Sequence, residues 1–186
     1  MERLSDNYYV EKIREGEVAC FAPLLDRYGK QVFSLIVKIV GNREDAEELA
    51  QDVFVKAYNS LSSFRGDSSF ATWIFRIAYN IAISATRKKT YDFIPVDENI
   101  ISDTVDEQDE YFFGDSDADM RIVYLNNAIE RLLPKERAMI ILFYKESKSM
   151  EEIAIITGLT EVNVKTKIFR IRKKMFVLIK EMEKND

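Results

Sequence analysis

Positively charged side chains are concentrated near the carboxyl end of the chain, where the residue pattern predicts a helix. Residues 160–175 contain six Lys or Arg and one Glu. Apolar residues recur there at spacings of three and four, which predicts an inward-facing stripe. The stripe consists of Val164, Ile168, Ile171, Met175, Leu178 and Met182. The opposite side carries Asn163, Lys165, Lys167, Arg170 and Lys173. A helix with such a cationic outer face is suited to the major groove of duplex DNA.

The residues before this basic helix predict how it is presented. Ser149 and Glu152 have the spacing of a capping box for a short helix, and Gly158 supplies a tight turn after it. Thr160 is placed to cap the basic helix itself. Together these residues predict a helix-turn-helix over 149–175 that binds DNA. The alternative is a helical hairpin whose basic face is merely solvated.

A second candidate DNA surface lies on a helix predicted from Phe70 to Lys88. Its outer face is predicted to carry Thr72, Phe75, Arg76, Tyr79, Asn80, Ile83 and Arg87. Aromatic rings stack on unpaired bases, cations hold phosphates, and an amide reads a base edge. The preceding loop contains Phe64, Arg65, Asp67 and Ser68, which are small and polar enough to hold an extruded base. The alternative is that Phe75 and Tyr79 are core residues of a helix buried on two sides.

The helix predicted from Glu44 to Leu61 has the opposite character. Its exposed side is predicted to carry Glu44, Glu47, Glu48, Gln51, Asp52 and Asn59. A solvated acidic face is the ordinary explanation for this pattern. The functional alternative is that the face docks onto a basic surface of a partner protein.

The net charge of −5 over 186 residues conceals an uneven distribution. Residues 90–120 contain eleven Asp or Glu and no Lys or Arg, so the rest of the chain has a net charge of +6. Nearly all of the remaining sequence has helical periodicity, with six Gly and three Pro in the whole chain. We therefore predict an all-α fold of two small helical domains, 1–89 and 121–186, joined by a flexible acidic linker over 90–120.

Composition excludes several kinds of functional site. The chain has no His, which excludes a histidine base and a His-ligated zinc, and its single Cys excludes an internal disulfide. No Gly-rich phosphate loop is present. We therefore expect no catalytic residue, no metal and no cofactor. The sequence has neither a signal peptide nor an apolar run of about 18 residues, which predicts a cytoplasmic protein that does not insert directly into a membrane.

Four sequence motifs, taken together, resemble one protein family. They are DAEELAQDVFVKAY (45–58), FRGDSSFATWIFRIAYNIA (64–82), LPKERAMIILFY (133–144) and the helix-turn-helix at 149–175. In order and spacing they resemble bacterial RNA polymerase sigma factors of the extracytoplasmic-function type. The resemblance extends from about Val18 to Ile179 and implies two helical domains with a flexible connection between them.

The resemblance implies a role for each matching segment. The helix at 45–58 is implied to bind the coiled-coil clamp of core RNA polymerase, through Asp45, Glu48, Gln51, Asp52 and Phe54. The segment 64–89 is implied to melt the minus-ten promoter element and bind its single strand, through Ser63, Phe64, Arg65, Arg76, Tyr79, Asn80 and Arg87. The last domain is implied to read the minus-thirty-five element as duplex DNA, through Glu161, Asn163, Lys165, Lys167, Arg170 and Lys173.

The resemblance also implies partners. These are promoter DNA and core RNA polymerase, which is contacted at its clamp coiled coil and its flap; many members of the family are in addition held inactive by an anti-sigma factor. The expected function is promoter-specific initiation by differential binding, with no catalysis. One rival is a free-standing helix-turn-helix regulator, in which only the last helices bind DNA. A second rival is a helical adaptor that binds only proteins.

Overall fold

The computed structural model of the chain describes residues 4–89 and 118–185, in which every regular element is helical. The α-helices are α1 (Asp6–Arg14), α2 (Ala22–Val40), α3 (Arg43–Ser60), α4 (Phe70–Lys89), α5 (Ala118–Glu130), α6 (Pro134–Ile140), α7 (Met150–Thr157) and α8 (Glu161–Asn185). Short 3-10 turns cover Val18–Phe21 and Leu61–Ser63, and a π-helical turn covers Ile141–Lys145. The predicted all-α class is confirmed. Within the two described stretches, no helix is both long enough and apolar enough to cross a membrane.

Local chemistry fixes several helix ends. The Asn42 side chain accepts a hydrogen bond from the Asp45 amide at 3.0 Å and so starts α3. At α7 the Ser149 hydroxyl accepts from the Glu152 amide, while the Glu152 carboxylate accepts from the Ser149 amide. Gly158 ends α7 with a φ of 72°, a left-handed conformation that glycine adopts without strain. The capping box and the glycine turn are therefore confirmed.

Helices α1 to α4 form a first lobe around mutually packed apolar faces. Each of α2, α3 and α4 packs against the other two, and Leu35, Val53 and Ile74 are fully buried between them. Helix α1 is held to α2 by Asp6, whose carboxylate accepts from Arg27 and from the Tyr28 hydroxyl. Burial of the phenol and its bond to this carboxylate raise the pKa of Tyr28.

Helices α5 to α8 form a second lobe. The predicted inward stripe of α8 is largely confirmed, since Val164, Ile168, Ile171 and Met175 are buried whereas Leu178 and Met182 are half-buried. The far end of α8 packs on α5, where Tyr124, Ala128 and Ile179 form a small separate cluster. Helix α5 begins at Ala118, inside the segment predicted to be linker. Residues 90–117 of that predicted linker lie outside the described residues.

The two lobes share a core. One continuous cluster of buried apolar side chains runs from α1 through α4 into α6, α7 and α8. Arg137 of α6 joins the lobes through its guanidinium, which donates to the Lys38 carbonyl at the end of α2 at 2.9 Å. The same group also donates to the carbonyls of Ile129, Glu130 and Leu132 at the end of α5. Burial lowers the pKa of Arg137, so these bonds compensate for a partly desolvated charge.

We predict that Arg137→Met lowers the free energy of unfolding by about 1–3 kcal/mol, because it leaves several carbonyl groups without their donor. Chemical denaturation followed by circular dichroism measures the change. Arg131→Met is the matched control, since Arg131 is exposed and should shift stability by no more than about 0.5 kcal/mol. Equal effects of the two substitutions would show that the Arg137 contacts do not stabilise the fold.

Candidate nucleic-acid and protein interfaces

The outer face of α8 presents the cationic surface predicted from the sequence. Glu161, Asn163, Lys165, Lys167 and Arg170 are exposed, and Lys173 is half-buried. The Lys173 ammonium lies 4.8 Å from the centroid of the Phe169 ring, a cation–π contact that restrains it beside the other cations. The Thr160 hydroxyl accepts from the Asn163 amide at 3.3 Å and starts the helix as predicted. The face is therefore free to contact phosphates along its length.

Helix α7 supports α8 from behind. Ile153 and Ile156 of α7 and Val164 and Ile168 of α8 are all nearly fully buried, which fixes the angle between the helices across the Gly158 turn. The short first helix, the glycine turn and the long second helix together have the form of a helix-turn-helix. The basic second helix is the one whose outer face remains open.

The structure divides the predicted outer face of α4 into two parts. Arg76, Asn80 and Arg87 are exposed, as the sequence predicted. The remaining members are buried: Thr72, Phe75, Tyr79 and Ile83 have at most 7% of their surface accessible. The prediction that these four side chains face solvent is wrong in this arrangement, and the alternative of a helix buried on two sides is correct. Burial also raises the pKa of Tyr79.

The reason is tertiary packing that the helical period does not reveal. One face of α4 packs on α2 and α3, while α6 and α7 of the second lobe pack on the other. The Thr72 hydroxyl donates to the Glu152 carboxylate at 2.9 Å, across 80 positions of sequence. The Lys148 ammonium lies 5.3 Å from the centroid of the Phe75 ring and pairs with Glu152 at 3.1 Å. No motif in the sequence signals this contact.

The loop before α4 likewise contains both exposed and buried members of the predicted DNA surface. Ser63 and Arg65 are exposed, whereas Phe64 is buried with its ring edge-on to Phe70 and tilted against Trp73. The prediction that Phe64 is available to an extruded base is therefore wrong for this arrangement, because its ring fills the aromatic core of the first lobe.

Sequence reasoning missed Arg14, whose guanidinium donates to the carbonyls of Leu61 and Phe64 and fixes the loop to α1.

Of the five residues predicted to form the partner-binding surface of α3, only Phe54 is buried. Glu48, Gln51 and Asp52 are exposed and Asp45 is half-buried. Phe54 is 7% exposed and packs edge-on to Phe21, so its predicted place on a partner-binding surface is wrong in this arrangement: it supports α3 from beneath. Beside this face lies a groove of about 680 Å³ between α2, α3, α4 and α6. Asp45, Glu48 and Asp52 line one wall of the groove, and Asn80 lies on another.

Comparisons with known proteins decide the family. The sequence model of Sigma-70 region 2 matches residues 24–91, and that of Sigma-70 region 4 matches residues 122–175. The chain is 33% identical to an ECF RNA polymerase sigma-E factor of Escherichia coli K12, over 92% of this chain and 93% of the relative. The chain belongs to the ECF sigma factors. It therefore acts as an alternative sigma factor that directs promoter-specific transcription initiation by RNA polymerase.

Other proteins similar to this ECF sigma factor support the same family assignment. It is 31% identical to the RNA polymerase sigma-H factor of Pseudomonas aeruginosa, over 90% of each chain. It is 29% identical to ECF sigma factor SigW of Bacillus subtilis, over 88% of this chain and 91% of the relative. Among solved structures, the sigma factor RpoE bound to the anti-sigma factor NepR of Bartonella quintana has the same fold, with a TM-score of 0.62 and 24% identity. That match covers 86% of this chain and 96% of RpoE.

The match places the surfaces of this sigma factor in two sequence regions. Region 2 contains the α3 face and the α4 helix with its preceding loop, and region 4 contains the helix-turn-helix. Sigma factors are DNA-binding initiation factors, and the two cationic surfaces of this chain fall one in each region.

We predict that Lys165→Ala and Arg170→Ala each reduce the slope of log affinity against log salt concentration by about one unit, because each removes one phosphate contact. Fluorescence anisotropy of a labelled duplex at several salt concentrations measures the slope. Lys30→Ala, which changes an exposed lysine on α2, is the control and should leave the slope unaltered. Unchanged slopes in all three variants would exclude the α8 face from DNA contact.

Proposed function

We propose that the acidic face of α3 is the surface that binds core RNA polymerase. Asp45, Glu48, Gln51 and Asp52 carry its charge and hydrogen-bonding groups. The exposure of Glu48, Gln51 and Asp52 supports this role, since an accessible acidic face attracts a basic partner surface such as the polymerase clamp coiled coil. Phe54 packs beneath the helix against Phe21 and so anchors α3 in the first lobe.

The exposed part of α4 and its preceding loop bind the melted minus-ten strand in this proposal. Arg65, Arg76 and Arg87 supply cations for the phosphates, and the Asn80 amide reads a base edge. The exposure of all four side chains supports these roles. Ser63 lies beside them with its hydroxyl bonded to the Ser60 carbonyl, so it contributes shape to the loop. Phe64 and Tyr79 reach a base only if their packing changes.

The α8 face reads the minus-thirty-five element as duplex DNA. Lys165, Lys167, Arg170 and Lys173 contact phosphates, while Glu161 and Asn163 at the start of the helix are placed to enter the major groove first. The first turn of a recognition helix is the part that contacts base edges, and both residues are exposed there. The second lobe thereby sets the register of the complex on DNA and also contacts the polymerase flap.

Initiation in this account requires no catalytic group on the chain. Polymerase holds the two lobes at a fixed separation, α8 fixes the register, and α4 binds single-stranded bases that duplex DNA does not offer. Because α4 binds the melted strand and not the duplex, binding shifts the promoter toward its open form. The protein works in the cytoplasm with the polymerase. An anti-sigma factor that covered the α3 face would prevent this assembly.

The observation that carries the proposal is the presence of two exposed cationic surfaces, one in region 2 and one in region 4. Adding the purified chain to core RNA polymerase should yield run-off transcripts from a subset of genomic DNA fragments, whereas core polymerase alone should yield none. Absence of transcripts from every fragment, despite binding of the chain to polymerase, would contradict the proposal.

We further predict that Asn80→Ala lowers promoter opening by about tenfold or more, because a base-reading amide contributes roughly 1–3 kcal/mol of discrimination. Permanganate reactivity of unpaired thymines in polymerase–promoter complexes measures opening. Association with core polymerase, measured by pull-down, should be unchanged. The control is Asn7→Ala on α1, which removes an exposed amide far from α4 in sequence and should open promoters normally. Normal opening by Asn80→Ala would exclude this residue from base recognition.

A further inference from the structure

The first turn of α8 exposes an apolar side chain at the place where a recognition helix contacts base edges. Val162 has 74% of its surface accessible, the largest value among the large apolar side chains that the structure describes. It lies between Glu161 and Asn163, the residues proposed to enter the major groove first. Val162 and the buried Ile171 are about two and a half helical turns apart, so they point in opposite directions. Val162 therefore lies on the midline of the outer face of α8.

Two further residues continue this midline toward the carboxyl end of α8. Thr166 is one turn after Val162, and its hydroxyl donates to the Val162 carbonyl at 3.0 Å. Because that hydroxyl is bonded within the helix, the exposed Thr166 side chain presents its methyl group to solvent. Phe169 follows two turns after Val162 and is 47% exposed. Val162, Thr166 and Phe169 thus form an apolar ridge about 10 Å long, a length equal to about three base pairs of DNA.

Cations flank the apolar ridge on both sides. Lys165 lies to one side of Val162 and Arg170 to the other, and both are exposed. The Lys173 ammonium lies at the far end of the ridge, against the Phe169 ring. In duplex DNA, two rows of phosphates enclose the uncharged base edges of the major groove. The pattern of cations around an apolar midline therefore matches duplex DNA, with the ridge turned toward the base pairs.

The chemistry of the ridge identifies the group that it can contact on DNA. A valine side chain has no hydrogen-bond donor or acceptor, so it desolvates any amino, carbonyl or ring-nitrogen group that it covers without replacing the lost bond. The apolar group that base pairs present in the major groove is the C5-methyl group of thymine. Contact between that methyl group and Val162 removes apolar surface of both from water, which is favourable.

We propose that Val162 determines promoter specificity by contacting the C5-methyl group of a thymine in the minus-thirty-five element. This inference rests on the proposed function of α8 and adds the base that the first turn of the helix selects. Adenine, guanine and cytosine have no methyl group at that position, and their polar groups would lose water beneath Val162. The exposed valine thus favours thymine and disfavours the other three bases.

The test removes the methyl group from the DNA and the side chain from the protein. Holoenzyme assembled from core polymerase and the wild-type chain first selects its minus-thirty-five element from duplexes randomised in that region. Each thymine on either strand of the selected element is then replaced in turn by deoxyuridine, which lacks only the C5-methyl group. Competition binding measures the affinity of wild-type and Val162→Ala holoenzymes for every duplex. The variant should fold normally, because Val162 is exposed and alanine has the higher helix propensity.

Wild-type holoenzyme should bind about fourfold more weakly when one particular thymine becomes deoxyuridine, because contact with one methyl group is lost. Val162→Ala should bind the thymine duplex about fourfold more weakly, and the same deoxyuridine should then cause no further loss. Val162→Ile keeps the apolar contact and should retain the sensitivity. Val177→Ala is the matched control: this valine is 44% exposed on the same helix but about 22 Å from Val162, so its variant should behave as wild type.

Two results would overturn the inference alone. One is sequence selection by the wild-type holoenzyme with no loss of affinity for deoxyuridine at any position. The other is full wild-type sensitivity of Val162→Ala at every thymine, because the methyl group would then contact a different side chain. If the wild-type holoenzyme selects no duplex sequence, the proposed function of α8 is wrong, and this inference is wrong with it.

Discussion

The structure depends on the need to cover α4 on two sides. This helix carries apolar or aromatic residues around most of its circumference, and a helix of that kind is stable in water only when neighbouring elements surround it. Helices α2 and α3 bury the side that contains Ile74 and Ala78. The side that contains Phe75 and Tyr79 needs a second partner, and α6 and α7 provide it. The need to cover α4 on both sides therefore holds the two lobes against each other.

The same constraint links stability to function. The rings that α4 buries are aromatic side chains of the kind on which unpaired bases stack. Charged residues behave differently, because Arg76 and Arg87 of α4 and Lys165, Lys167 and Arg170 of α8 are exposed. The cationic surfaces of this sigma factor are therefore accessible, whereas the aromatic side of α4 is covered.

Sequence reasoning succeeded where local chemistry decides the outcome. The capping box at Ser149 and Glu152, the turn at Gly158 and the inward stripe of α8 all follow from short-range rules, and each is confirmed. The family was also predictable, because four ordered motifs carry it. The α4 face was not, because helical periodicity shows which residues share a side but not what packs against that side. The Thr72–Glu152 contact joins residues 80 positions apart, and Phe54 and Phe64 were assigned to surfaces although both are core aromatics.

The accessibility of the α4 rings tests this account most directly. Hydroxyl-radical footprinting read by mass spectrometry reports oxidation of Phe75 and Tyr79 in the folded chain and in the unfolded chain. The account predicts little oxidation of either ring in the folded chain and a marked rise on unfolding. Rings that are oxidised as readily in the folded chain as in the unfolded chain would show that the second lobe does not cover α4, and the central claim would be wrong.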